Sequence, residues 1–417
     1  MTVNIPAEIQ QWIDVKSSFV DYKKFQGDED ARKLSREKFA RGEVEFPEYL
    51  YPELENLYAT DSFMSKLEQT SEAARNLLLA GHAYKEQGDI PLWAVCSLEG
   101  GRHIRNLNKM ELVRGAECLL RTGDPQRFVQ YNRLLHGVVA PELFQIALQP
   151  ETIFNDQLMN QLNGLVYNRW GDALAVAPET DDEVVYNAQQ IVYVLNEAMM
   201  VLNYHAAGYA AEISEAHSTI ATNHGKKRVF VPPSRQMTAA ALRGRIVHEL
   251  VIHVGRGISG KETGYKSLES GTADYLEKEE GLAVLLECGA SGSWENEGID
   301  RARKRYIAAG LIAGIDRKEA LPRDGRETFE DLLSVYSFSE AEALTHLDNA
   351  FRGTDWKQPG VFYSKLQIYF AGLVNNVSFL ARADNLEQAI DFALIGKFDH
   401  TGEEANIVKN LFDTAPV

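Results

Sequence analysis

Residues 245–253 read Arg-Ile-Val-His-Glu-Leu-Val-Ile-His, and the spacing within this stretch is the first indication of fold and chemistry. Zinc peptidases typically carry two histidines four residues apart on one helix, with a glutamate directly after the first. Here His253 follows His248 by five residues. Each residue turns a regular helix by about 100°, so positions four apart lie about 40° from each other and positions five apart about 140°. A regular α-helix would therefore not direct both imidazoles at one ion.

A one-residue π-bulge would absorb the extra residue and return both imidazoles to one face. Such bulges concentrate at functional sites. We expect the distortion within Leu250–Ile252, or an unwinding of the helix just before Gly255. In that case His248 and His253 provide two metal ligands and Glu249 a general base. The alternative is that all three side chains cap a helix end or form hydrogen bonds there.

A later acidic segment, residues 277–287 (EKEEGLAVLLE), heads an otherwise apolar helix that we predict to begin near Asp274. Catalytic zinc takes three protein ligands and a water, so a third ligand is expected beyond the two histidines. A carboxylate buried at the start of this helix needs a partner, because burying an unpaired charge is costly. Zinc would be that partner. The alternative is a solvated helix N-terminus stabilised by the helix dipole, which fits Glu277 and Glu279.

The composition limits the possible partners. The chain has 417 residues, 45% of them hydrophobic, and a formal net charge of -17. This charge argues against nucleic acid, which is bound largely through clustered Lys and Arg. We find no secretory signal and no apolar run of the roughly 18 residues that span a bilayer, so we expect a cytoplasmic protein without a membrane partner. The three cysteines form no C-x-x-C pair, so His and carboxylate side chains would have to hold any metal.

The hydrophobic pattern predicts a predominantly helical α+β protein. We expect residues 1–150 to form a helical region and residues 151–417 to form a zincin-like catalytic region. Within the latter, short β-rich runs after His205 predict a small antiparallel sheet beside the HExxxH helix. The Gly/Ser-rich residues 257–271 predict a loop. Helices are predicted at residues 29–41, 61–87, 107–121, 126–135, 186–205, 327–336, 339–352, 363–380 and 403–412.

The sequence resembles the metallopeptidase family of the microtubule-associated tyrosine carboxypeptidases, whose bacterial members are often labelled QEGLA-motif proteins. HELVIH at residues 248–253 and EEGLA at residues 279–283 carry the resemblance. Residues 128–148 resemble the segment ahead of the catalytic core, and residues 351–372 resemble the Arg-Gly, Pro-Gly and Phe-x-x-Lys segment downstream. The similarity extends over about residues 40–400.

The resemblance implies a ligand set and an activity. Carried across by position, His248, His253 and Glu280 are zinc ligands and Glu249 is the general base. The family removes a C-terminal residue, which is the tyrosine of α-tubulin in animal members. We do not transfer that substrate, because the strongly negative chain would repel acidic tubulin tails. Glu279 stands where many bacterial members have Gln, a difference that we expect to be harmless.

A carboxypeptidase also needs groups for the substrate's carboxylate and for the oxyanion. Arginine suits the carboxylate because its planar fork binds both oxygens, and the downstream resemblance favours Arg352. Tyr369 and Lys365, four apart on one predicted helix face, would donate to the oxyanion. The alternatives are ordinary surface arginines and a core aromatic residue. Leu366 stands where the family pattern leads us to expect an acidic residue. The other candidate arginines are Arg243, Arg245 and Arg256.

The strand KRVFVPP has a possible binding function as well. Zincins commonly bind peptides as an extra strand on an exposed sheet edge. If Val229–Val231 form that edge, Phe230 contacts the substrate. The alternative is a strand that only covers the core.

The leading hypothesis is a zinc-dependent metallopeptidase of carboxypeptidase type that acts on a peptide or protein C-terminus. One alternative is an aminopeptidase like dipeptidyl peptidase III, because an HExxxH motif followed by an acidic pair also occurs in those longer chains. The other is a non-catalytic regulator or binding protein stabilised by zinc, in line with the bacterial family's older label that links it to flavohaemoglobin expression. The intact Glu249 argues against the second alternative, since a structural zinc needs no base.

Overall fold

A computed structural model describes residues 3–16, 28–49, 51, 61–177, 185–217, 219–316 and 321–412. These residues form mainly helices with two small sheets, which confirms the predicted helix-rich α+β class. None of the described helices is long and apolar enough to cross a membrane. The helices are α1 Ala7–Ile13, α2 Glu29–Ala40, α3 Asp61–Glu86, α4 Ile90–Thr122, α5 Gln126–His136, α6 Pro141–Leu148, α7 Asp156–Leu174, α8 Ala188–Val201, α9 Ala239–Arg245, α10 Gly255–Glu262, α11 Lys266–Ser270, α12 Tyr275–Ser291, α13 Glu297–Ala313, α14 Gly325–Ser334, α15 Glu340–Ala350, α16 Ile368–Ala381, α17 Leu386–Ala393 and α18 Glu403–Phe412.

The chain divides into two compact units. The first unit contains Met1–Pro150 and Arg301–Ala371, and the second contains Glu151–Asp300 and Gly372–Val417. Residues 301–371 are thus grouped with the N-terminal residues and not with the segment that carries HELVIH.

The first unit contains two long helices, α3 and α4, of 26 and 33 residues. The longer one, α4, is capped by Asp89, whose side chain accepts from the Leu92 amide, and is followed by the C-cap residue Gly123 with a positive φ of 75°. This helix begins well before residue 107, where we predicted its start. The prediction missed its first half because polar residues interrupt the apolar pattern there. Its buried face packs with α3 and α5 around a core of large side chains, namely Tyr51, Phe63, Leu67, Met110, Leu112, Val113, Ala116, Leu119, Phe128, Val361 and Tyr363.

Within the described residues, the strands all lie in the second unit: β1 Val185–Tyr186, β2 Ala210–Ile213, β3 Ala221–Asn223, β4 Arg228–Val231 and β5 Met237–Thr238. Strands β2 and β4 pair in parallel, and β3 pairs antiparallel with β4, in the order β2-β4-β3. The expected antiparallel sheet is therefore a mixed one. A separate antiparallel pair, β1 with β5, leads into α9.

The predicted loop at residues 257–271 is wrong, since α10 and α11 occupy most of it. Gly260 in this segment permits close packing of two helices. A Cβ on Gly260 would lie 2.0 Å from the Leu268 carbonyl oxygen, so only glycine allows α10 to approach α11 this closely. Thr238 begins the preceding helix α9 by accepting the Ala241 amide on its hydroxyl, a standard N-cap.

Candidate metal centre

The helix that carries the two histidines is a π-helix from Ile246 to Val254, set between α9 and α10. The expected distortion is confirmed, and it extends over nine residues instead of the three we predicted. In a π-helix the backbone hydrogen bonds run from residue i to residue i+5. Residues five apart therefore lie on the same face of the helix, and the ring centroids of His248 and His253 are 5.1 Å apart.

Glu280 on α12 completes a three-residue cluster. One ligand atom each from His248, His253 and Glu280 lie within 4.8 Å of one another. His253 Nε2 is 3.8 Å from Glu280 Oε2. Two imidazoles and a carboxylate are a donor set that catalytic zinc sites use, and the three groups are close enough to share one ion. The described residues thus fit the metal that the motif predicts.

Each histidine is held from behind by a carboxylate of the same helix α12. His248 Nδ1 lies 2.9 Å from Glu287 Oε2, and His253 Nδ1 lies 2.9 Å from Glu279 Oε1. A carboxylate on Nδ1 fixes the tautomer and the ring orientation, which leaves Nε2 as the atom that could bind a metal ion. This second set of carboxylates is the strongest structural support for a metal centre beyond the cluster itself.

Glu279 is a buried charge, in contrast to the solvated helix end that the sequence indicated. It is 2% exposed and also contacts Lys397 Nζ at 2.8 Å and Arg256 Nη1 at 3.4 Å. Burial by itself raises the pKa of Glu279, but Lys397, His253 and Arg256 together hold it well below its ordinary value. Burial likewise lowers the pKa of His253, but the hydrogen bond to Glu279 and the charge of Glu280 raise it. The surroundings of His253 are electronegative and favour a cation.

Glu249 lies beside the cluster and is held from two sides. Thr222 Oγ1 on β3 donates to Glu249 Oε2 at 2.9 Å. Arg245 Nη1 is 3.9 Å from the other oxygen, Oε1, and Arg245 Nη2 also bonds Glu287 Oε1 at 3.2 Å. Glu249 is 4% exposed, so its few contacts largely fix the carboxylate.

Two of the predicted substrate contacts lie in the second unit but are already engaged. Arg256 is fully buried, and it donates to the carbonyl oxygens of Gly396 at 2.8 Å and Phe398 at 3.0 Å. It is a structural residue, not a carboxylate receptor. Phe230 lies in the central strand β4 and stacks on His217 with centroids 4.3 Å apart. The expected substrate edge at Val229–Val231 is therefore wrong, because β2 and β3 are the edge strands.

The remaining predicted substrate groups belong to the first unit. The Arg305 guanidinium lies 4.7 Å above the Tyr369 ring, and burial lowers the pKa of Arg352. Lys365 lies in a 3-10 turn, Ser364–Gln367, whereas Tyr369 lies in α16, so the two do not share one regular helix face. A role of Arg352, Lys365 and Tyr369 in substrate binding stays a prediction.

The sequence did not indicate Lys397, a buried lysine that contacts Glu279. Lys397 Nζ lies 2.9 Å from His224 Nε2, and His224 Nδ1 lies 2.8 Å from the Tyr209 hydroxyl. Burial and the charge of Lys397 lower the pKa of His224 to about 3. No local pattern could have indicated this contact, since Lys397 and His224 are 173 residues apart in sequence.

Comparison with known proteins adds one finding. A family model described as microtubule-associated tyrosine carboxypeptidase matches residues 104–414, which include the π-helix and α12. A search of the curated proteins gives no match.

Proposed function

Because the chain belongs to the microtubule-associated tyrosine carboxypeptidase family, whose model covers residues 104–414, we propose that it is a zinc-dependent peptidase that removes residues from a peptide or protein C-terminus. The family match supports a carboxypeptidase over an aminopeptidase of the dipeptidyl peptidase III kind. The animal substrate in the family description is not part of this proposal.

One observation carries the proposal: ligand atoms of His248, His253 and Glu280 lie within 4.8 Å of one another, while carboxylates occupy Nδ1 of both histidines. A helix that merely capped its end with polar groups would not need three converging donors. Zinc held by these three side chains would supply a Lewis acid that acidifies a water and polarises a peptide carbonyl.

Glu249 is the general base of this proposal. It directly follows His248, and its Oε2 accepts from Thr222 at 2.9 Å, which leaves Oε1 as the oxygen for proton transfer. In this role Glu249 takes a proton from the attacking water and passes it to the nitrogen of the leaving residue. Arg245, at 3.9 Å from Oε1, restricts where that oxygen can lie.

The test compares Glu249→Gln with wild type on peptides that carry either a free or an amidated C-terminus, with bound zinc measured by elemental analysis. The matched control is Glu262→Gln, which changes an exposed glutamate on the adjoining helix α10. We expect wild type and the control to shorten only the peptides with a free C-terminus. Glu249→Gln should retain zinc and lose at least about a hundredfold in kcat, the range of general-base catalysis.

Three results would contradict the proposal. Equal turnover by Glu249→Gln would remove the base. Release of N-terminal dipeptides would support the aminopeptidase alternative. Zinc binding without any hydrolysis of a broad peptide library would support the non-catalytic alternative.

A further inference from the structure

Lys397 is a buried cation whose backbone is fixed on both sides. It is 3% exposed and lies between α17 and α18. Its amide donates to the Leu268 carbonyl at 2.8 Å, and its own carbonyl accepts from the Thr272 amide at 3.0 Å. Buried lysines are rare unless they are paired, and this one has two polar partners that lead to different parts of the candidate metal centre.

The first partner leads to a metal ligand. Lys397 Nζ donates to Glu279 Oε1 at 2.8 Å, and the same oxygen accepts from His253 Nδ1 at 2.9 Å. With its oxygen bound from both sides, the Glu279 carboxylate cannot rotate freely. It therefore holds the His253 ring with Nε2 toward Glu280.

The second partner leads to the proposed base. An ammonium group only donates, so His224 Nε2 accepts from Lys397 and His224 Nδ1 donates to the Tyr209 hydroxyl. His224 directly follows the edge strand β3, which ends at Asn223. That strand carries Thr222, the residue that binds Glu249. Through His224, Lys397 thus fixes the end of β3, the strand that positions the Glu249 carboxylate.

The space for this second contact depends on a glycine. A Cβ on Gly257 would lie 2.8 Å from both Cε1 and Nδ1 of His224. Real Cβ atoms do not approach other atoms so closely, so any larger residue at position 257 would displace the imidazole from Lys397. The absence of a side chain at this position on α10 is therefore matched to the presence of the His224 ring.

We propose that Lys397 is a positioning residue that fixes the orientation of His253 through Glu279 and the placement of Glu249 through His224 and β3. This inference rests on the proposed function, in which His253 holds zinc and Glu249 is the base. The Lys397 ammonium group thereby couples metal affinity to the catalytic rate.

The experiment separates the effect of the Lys397–Glu279 contact from the effect of the Lys397–His224 contact. Glu279→Gln removes the charge that Lys397 binds, His224→Leu removes the second partner, and Lys397→Met removes both contacts at once. Zinc affinity is measured by competition with a chromophoric chelator, and kcat is measured with zinc saturating. Lys261→Met, on the exposed side of α10, is the matched control. Thermal midpoints are recorded for every variant.

We expect Glu279→Gln to weaken zinc binding about ten- to hundredfold with kcat at saturating zinc within about twofold of wild type. His224→Leu should leave zinc affinity unchanged and lower kcat about ten- to hundredfold, as expected when a catalytic group is misplaced. Lys397→Met should show both losses, and its effect on zinc affinity should not add to that of Glu279→Gln. A purely structural lysine would lower only the thermal midpoint.

The coupling is overturned if Lys397→Met leaves either quantity at the wild-type value. Should Lys397→Met fail to fold, the variants of its two partners test the proposal. The coupling is overturned if Glu279→Gln changes kcat alone, or if His224→Leu changes zinc affinity alone. Failure of the proposed function is a separate result, because wild type itself would then bind no zinc or cleave no peptide.

Discussion

At the scale of single residues, α12 contributes as many side chains to the candidate centre as the histidine motif does. Glu279, Glu280 and Glu287 all come from this helix, so one element supplies the third donor and both carboxylates behind the imidazoles. Residues 280 and 287 are seven apart and lie on similar faces, since two helical turns contain about 7.2 residues. Glu287 was thus accessible to sequence reasoning as a second acid on the face of Glu280.

The Glu287 carboxylate gives the first residue-scale prediction. Glu287→Gln keeps the shape of the side chain but removes the charge that faces His248 Nδ1 and Arg245. We expect zinc affinity to fall about tenfold or more, because a carboxylate raises the basicity of a ligating imidazole. Glu277→Gln is the control, since Glu277 lies on the same helix but bonds Asn375 and Lys278. Chelator competition measures both variants, and an equal loss of affinity in the two would contradict the assignment.

The partly buried His224 gives a pH prediction. Its pKa is about 3 in the folded protein, against an ordinary value of 6.5, because of burial and the charge of Lys397. Its contribution to stability is therefore fully present above pH 6.5 and is lost as the pH falls toward 3, by at most about 1.4 kcal/mol per pH unit. His224→Leu lacks this contribution, so between pH 7 and pH 5 its thermal midpoint should fall less than that of wild type. Parallel curves would contradict the prediction.

At the scale of elements, the sequence was most informative where a pattern is local. Helices α2, α5 and α18 begin and end within two residues of their predicted limits. The five-residue histidine spacing also predicted a non-α turn, and a π-helix is present. Its nine-residue length was not predictable, because packing against α12 and β3 decides how far the distortion extends.

The failures at this scale have a common physical cause. Residues 257–271 contain enough glycine to be typical of a loop, but one of these glycines, Gly260, permits the close approach between α10 and α11. Strand β2 pairs in parallel with β4, although β3 lies between them in the sequence. Such a pairing depends on contacts between residues that are not adjacent along the chain. The Lys397–Glu279 contact is long-range for the same reason.

Helices α12 and α16 provide the element-scale prediction. A Cβ on Gly281 would lie 2.0 Å from the Gly372 carbonyl carbon, so the two backbones are in direct contact at this crossing. Gly281→Ala must push the helices apart and shift the adjacent Glu280, so we expect a loss of several kcal/mol and weaker zinc binding. Gly164→Ala on α7 is the control: nothing lies within 4 Å of its Cβ, and helix propensity favours alanine by about 0.5–1 kcal/mol.

Denaturant unfolding and chelator competition check this prediction. Gly281→Ala should lower the unfolding midpoint while Gly164→Ala holds or raises it. If both alanines had the same effect, the close approach of α12 and α16 would not be important for stability.

At the scale of the whole molecule, the residues of the candidate centre all belong to the second unit, Glu151–Asp300 with Gly372–Val417. The family match, residues 104–414, extends over parts of both units. The division of residues 301–371 from the rest of the C-terminal half could not be derived from sequence, because a compact unit is defined by contacts between segments far apart in the chain. The net charge, in contrast, follows directly from the amino-acid composition.

The net charge of -17 leads to the last prediction, which concerns substrate selection. A strongly negative protein repels acidic peptides and attracts basic ones, mainly through the rate of encounter. Salt screens this effect, because the Debye length falls from ~30 Å at 0.01 M to ~8 Å at 0.15 M ionic strength. For two peptides with the same final two residues, kcat/KM should therefore rise severalfold with salt when the preceding residues are Glu and fall when they are Lys. Because screening acts on encounter, kcat itself should stay constant for both peptides. The opposite dependence for the Glu peptide would mean that a local group of cations outweighs the overall charge at the substrate's entry, and acidic C-termini would then be the preferred class.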